Sequence, residues 1–143
     1  MRVWRISKTR YAGSIAEMLS GEGARQLGGR WNSVGMPAVY CAETSSLAAL
    51  EILVHVAGED WPPHSILDIN IPDALIVEPT GATDDTRAAG DELLARWLAI
   101  AVPSAVNALE RTVVINPEHP EFDKIRVGGI RPFLLDQRLR SSQ

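Results

Sequence analysis

The sequence predicts an α+β fold, with helices inserted between the strands of one mixed sheet. Two observations carry this. Short β-prone runs recur along the chain, and longer segments with helical apolar spacing fall between them. The length of 143 residues fits a single domain spanning 1–143, with a frayed tail expected over 139–143. Apolar residues make up 45% and charged residues 22%, which is enough apolar content for one core and argues against disorder.

Taken in order, Val3-Trp4-Arg5-Ile6-Ser7 alternates as a first strand. The stretch from Gly21 to Gly35 holds five glycines in fifteen residues and reads as irregular backbone with close approaches. Ala38 to Ala42 is short and β-prone. Ser45 to Val56 reads as a helix, with Ser45 or Ser46 capping its start and Gly58 ending it. Ser65 to Ile71 is a strand, and Ala74 to Val77 a second after the Pro72-Asp73 turn. Pro79 to Thr86 reads as a loop. Gly90 to Ala101 reads as a helix, with Leu93, Leu94, Trp97 and Leu98 on one side. Pro103 bars its continuation. Ser104 to Leu109 and Arg111 to Ile115 read as two strands joined near Glu110. Asn116-Pro117 signals a turn, Glu121 to Ile125 one helical turn, and Ile130 to Leu135 a late strand.

The net charge is −4, and the cations are Lys8, Lys124 and twelve scattered arginines. No basic stripe is present for direct nucleic-acid binding, which needs clustered cations. Arginine suits forked contact with a phosphate, so a phosphate-bearing small molecule stays open. A lone cysteine, Cys41, forms no internal disulfide and fits a reducing compartment. No apolar run reaches membrane-span length, and MRVWRISKTRYAG lacks a secretory apolar stretch. The expectation is a cytoplasmic protein with no membrane partner.

Glu51 is the most informative residue. It lies inside the apolar run LAALEILVHV, where a buried carboxylate is costly unless paired. It either occupies one solvated stripe or is a site carboxylate with a tuned environment. His55 shares its face, four residues on. No further His or Cys has matching spacing, so metal binding is not expected. Gly28-Gly29-Arg30-Trp31-Asn32 is the second cluster. Its glycines admit close backbone approach, Arg30 offers a forked donor and Trp31 a flat face. The alternative is a structural turn with Trp31 in the core. The cluster ends like neither a P-loop nor a dinucleotide turn. Arg10-Tyr11 says nothing alone, and Tyr40 in a strand reads as packing. Ser104 lacks a hydrolase-nucleophile setting. Trp4, Trp61, Trp97 and Cys41 read as packing.

In this order, RISKTRYA, then GEGARQLGGRWNSVGMPAVYCAETSSLAALEILVH, then PSAVNALERTVVINPEHPEF resemble the RES domain, named for an Arg, a Glu and a Ser. RVGGIRPFLLDQRL resembles that family's last strand. The family Arg falls on Arg30, the Glu on Glu51 and the Ser on Ser104; Tyr40 and the pair Arg10-Tyr11 match further pocket positions. The resemblance implies an ADP-ribosyltransferase-like fold and the toxin of a type II toxin–antitoxin pair. It implies depletion of cellular NAD, as substrate rather than cofactor, with an Xre-like helix-turn-helix antitoxin as partner and a homodimer as the assembly. Under it, Arg30, Glu51, Ser104 and Tyr40 are expected to be catalytic, and Arg10, Tyr11, Trp31 and Asn32 to bind substrate. The expected chemistry is cleavage of the nicotinamide–ribose bond by hydrolysis or phosphorolysis. Modification of a protein target and a non-enzymatic nucleotide-binding module are the alternatives. A ribonuclease is disfavoured by the acidic balance.

Overall fold

Alternate residues of the central strands point to opposite faces of the sheet, and both faces are covered. Val39 and Cys41 enter one apolar cluster with Val113, Ile115, Ala99 and Ala101. Their neighbours Tyr40, Val114, Ile100 and Val102 enter another on the reverse face. This two-sided burial explains why these runs are β-branched and nearly continuous in apolar character.

The structure is a computed structural model that describes residues 1–56, 61–81 and 83–139. Among these residues, eight strands form one mixed sheet: β1 (Arg2–Lys8), β2 (Val39–Ala42), β3 (His64–Asn70), β4 (Ile76–Val77), β5 (Ala99–Pro103), β6 (Arg111–Ile115), β7 (Arg126–Val127) and β8 (Arg131–Phe133). Their order is β4-β5-β6-β2-β1-β3-β7, with β8 also pairing with β3. Among the described residues, only β4 and β5 run parallel. The helices are α1 (Ile15–Met18), α2 (Glu22–Leu27), α3 (Ser45–His55) and α4 (Thr86–Arg96). The α+β expectation with inserted helices holds.

β1 and β2 share a single register pair, Trp4 with Ala42, whereas β1 and β3 pair along their full length. Beyond that point the Arg5 guanidinium bridges the gap, donating to the Tyr40 carbonyl at 3.0 Å and the Met18 carbonyl at 2.6 Å. Burial pushes the pKa of Arg5 down. On the reverse face, α4 with the glycine-rich loop covers one half of the sheet and α3 the other.

Several boundaries differ from the sequence reading. The helix expected over Gly90 to Ala101 starts at Thr86 and ends at Arg96, and Ala99 onward is β5. Ala99, Ile100, Ala101 and Val102 are buried on both faces, a pattern shared by core strands and core helices, so apolar spacing misassigned it. Ser104 to Leu109 is a connection, closed by a hydrogen bond from the Ser104 amide to the Glu110 carbonyl. Asp73–Leu75 forms a 3-10 turn before the two-residue β4. Phe122–Lys124 is also 3-10, and the late strand shortens to Arg131–Phe133. Thr44 rather than Ser45 or Ser46 caps α3, accepting from the Leu47 amide at 3.0 Å. Gly58, the expected end of that helix, lies outside the described residues, as do residues 140–143 of the expected frayed tail.

Candidate active site

The reverse face leaves a cleft of about 520 Å³ between its two apolar clusters. β1, β2 and β6 form its floor, α3 one wall, and α2 with the glycine-rich loop the other. Arg30 and Glu51 both line it, as do Trp31, Tyr40, His55, Trp4 and Thr112.

Arg30 stands on a loop whose backbone is tied to the start of α4. The Thr86 hydroxyl donates to the Arg30 carbonyl at 2.5 Å, and Arg87 Nε donates to the Gly29 carbonyl at 2.8 Å. Asp91 accepts from the Ser33 amide at 3.0 Å. A methyl group on Gly90 would stand 1.8 Å from the Trp31 carbonyl oxygen, so only glycine lets α4 seat against the loop. The guanidinium of Arg30 is exposed, with no hydrogen bond or ion pair among the described residues.

Tyr40 anchors the same loop from the floor. Its hydroxyl accepts from the Trp31 amide at 2.9 Å and donates to Asn32 Oδ1 at 2.8 Å. A Cβ at Gly29 would meet that hydroxyl at 2.5 Å, which is why glycine is required there. Burial pushes the Tyr40 pKa up. Asn32 is 0% exposed. Its amide donates to the carbonyls of Ala24, Ser33 and Met36, so its polar atoms are spent inside the loop.

Glu51 emerges from α3 and is half-buried. Its Oε1 accepts from Thr112 Oγ1 at 2.9 Å and from Ser104 Oγ at 3.1 Å. Both hydroxyls are buried. Ser104 Oγ in turn accepts from the amides of Val106 and Asn107 at 3.1 and 3.2 Å. Its lone pairs are therefore occupied and its one proton is committed to Glu51. A serine so held orients a carboxylate and is not poised as a nucleophile. Cys41 is no nucleophile either, since burial raises its thiol to about 12.

The structure thus brings Arg30, Glu51, Trp31 and Tyr40 to one cleft, with Ser104 behind Glu51. Asn32 does not line it and braces the loop from within. Arg10 and Tyr11 also lie outside it. They occupy the 3-10 turn after β1, where the Arg10 guanidinium sits 4.9 Å from the Tyr11 ring centroid. Three further residues line the cleft, of which the sequence pattern marks none as functional. Trp4 faces the cleft, with Arg2 over its ring at 4.3 Å. Arg5 was legible as a cation in an otherwise alternating strand. Thr112 gave no sequence signal, because its partner lies 61 positions away. Among the described residues, no group of three or more His, Cys, Asp or Glu side chains is placed to hold a metal. No helix among them is long and apolar enough to cross a membrane.

The RES domain matches residues 2–136. The chain belongs to the RES domain family. This RES domain is 34% identical to a Toxin Res of Photorhabdus laumondii, over 97% of each chain. It is 33% identical to a Prs ADP-ribosylating toxin of a Sphingobium species, covering 95% of this chain and 94% of that one. A 50-residue stretch is 42% identical to the NAD(+) phosphorylase MbcT of Mycobacterium bovis, covering 34% of this RES domain and 27% of that protein.

Proposed function

We propose that this protein is a toxin that cleaves the nicotinamide–ribose bond of NAD. The observation that carries the reading is that Arg30 and Glu51 line one cleft, the first from its loop and the second from α3. A dinucleotide needs both: a forked cation for its diphosphate and a carboxylate near the ribose that becomes positive. The similarity to an NAD(+) phosphorylase and to an ADP-ribosylating toxin supports it, because both names describe chemistry at this bond.

In the reaction the bond between the ribose anomeric carbon and the pyridinium nitrogen breaks. Its electron pair returns to the nitrogen, and nicotinamide leaves neutral. The sugar passes through oxocarbenium character, as in glycoside cleavage. Glu51 stabilises that charge from the α3 wall. Arg30 clamps the diphosphate, and Trp31 and Tyr40 supply the apolar wall beside the base. An oxygen nucleophile then bonds to the anomeric carbon and gives up its proton. Water yields ADP-ribose, and inorganic phosphate yields its 1-phosphate. A second reading, transfer of ADP-ribose to a protein, is favoured by the full-length likeness to the Sphingobium toxin.

The same proposal includes an ADP-ribosyltransferase-like fold and action in the cytoplasm as a single domain. Its control would come from a helix-turn-helix antitoxin of the Xre kind, and its assembly is a homodimer. Product analysis by mass spectrometry, with and without phosphate and with a cell extract, tests the chemistry. Free nicotinamide is expected in every case, and its release should fall about a hundredfold or more in Glu51→Gln, the scale of losing one preorganised charge stabiliser. Undiminished release by that variant would sink the role of Glu51; intact NAD with the parent would sink the function.

A further inference from the structure

The contacts of Glu51 are one-sided. Both hydroxyls meet Oε1, and Oε2 accepts no hydrogen bond from the described residues. Nor is Oε2 sealed off: His64 Nε2 is the only buried side-chain polar atom without a partner among those residues. One oxygen of the carboxylate is therefore held and the other is open.

Ser104 belongs to the motif that names the family, but Thr112 does not. Thr112 lies in β6, directly opposite Ala42 of β2 and Val102 of β5, at the centre of the sheet. The residues that follow it in the strand, Val113, Val114 and Ile115, are all apolar and 0% exposed, while Arg111 before it reaches the surface. A hydroxyl in such a strand is costly to bury without a partner, and the bond to Glu51 supplies one. A carboxylate only accepts, so Thr112 donates. Its β-branched side chain is stiff at χ1 and its backbone is paired on both edges, so the donor has little freedom to move.

We propose that Thr112 is a positioning residue of the reaction. Together with Ser104 it fixes Oε1, so that Oε2 alone is presented to the substrate ribose. This rests on the function proposed above. Helix α3 by itself cannot set the orientation of a carboxylate three bonds from its backbone. The two hydroxyls come from the connection just after β5 and from the second residue of β6, and they triangulate it against the floor.

The test compares Thr112→Val, which keeps the shape and loses the donor, with Thr112→Ser, which keeps the donor. Steady-state NAD consumption by T112V is expected to lose about tenfold or more in kcat, the scale of one hydrogen bond to a charged group. Its KM for NAD should stay within about twofold, because binding is left to other groups. T112S should recover most of the rate. In a Glu51→Gln background, T112V should change the residual rate little, since the two act as a unit. If T112V does not fold, Thr112→Ala against T112S gives the same comparison. Parent-like kcat in T112V, equal losses in T112V and T112S, or a rise in KM alone would each overturn the assignment. A parent that leaves NAD intact overturns the proposed function and this inference with it; an active parent beside an unaffected T112V overturns this inference only.

Discussion

On the loop wall of the cleft, Arg30 has a tethered backbone and a side chain unbonded among the described residues; on the helix wall, Glu51 has its carboxylate held directly. The loop has little regular structure of its own, so three hydrogen bonds to α4 and the close seat at Gly90 supply its order. The helix is already rigid, and only the last bonds of the Glu51 side chain needed fixing, which Ser104 and Thr112 do. The difference fits the work each group is given. A guanidinium that follows a flexible diphosphate benefits from reach, whereas a carboxylate that stabilises charge at one carbon benefits from a preset position.

Four substitutions probe this contrast, the two with the largest expected effects first. Arg30→Ala should lower kcat/KM for NAD by about ten- to a hundredfold, the range for hydrogen bonds to charged groups, with the melting temperature unchanged because no described residue bonds to that guanidinium. A stability loss instead would mean that the side chain is part of the scaffold. Gly90→Ala should cost about 1–3 kcal/mol in urea unfolding, since the added methyl meets backbone that cannot rotate away. It should also raise KM by loosening the Arg30 loop. Arg87→Met removes one tether and should cost about 1 kcal/mol, with a smaller rise in KM. If R87M reduced kcat and left KM alone, the loop would be holding something other than the diphosphate end. Tyr40→Phe keeps the wall of the cleft but strands the Trp31 amide and Asn32 Oδ1. It should cost about 1–2 kcal/mol in the same unfolding assay.

Away from the cleft, His64 gives a pH dependence of the fold. It is buried, stacks on Trp61 at 4.6 Å between centroids, and donates from Nδ1 to the Pro62 carbonyl at 2.7 Å. That tautomer leaves Nε2 unprotonated inside the protein, and burial lowers the pKa below the ordinary 6.5. The unfolded chain binds this proton more readily than the folded one. The stability His64 contributes is therefore complete above about pH 6.5 and is lost as pH falls toward the folded value. Urea midpoints measured between about pH 5 and 8 should fall on the acid side, and less so in His64→Phe. Equal slopes in the two proteins would assign the acid sensitivity elsewhere.

Much of this was legible in the chain, for identifiable reasons. Strand runs with side chains alternating between two buried faces, the capped helix carrying Glu51 and the glycine cluster before Arg30 are local patterns. Their register follows from periods of two and 3.6 residues. The Ala99–Val102 strand was not legible, because burial on both faces erases the period that separates strand from helix. The Ser104 connection looked like strand for a similar reason: Val106 and Leu109 are apolar yet exposed.

By itself, then, the sequence determined the α+β class, the residue types available for chemistry and the family to which they belong. Only the tertiary structure decided which of them meet. It placed Arg30 and Glu51 in one cleft, turned Asn32 inward to the loop, kept Arg10 and Tyr11 outside the cleft, and set Thr112 against a carboxylate 61 positions away. Such meetings depend on strand order and on which face a side chain leaves, and no local pattern encodes a partner so distant along the chain.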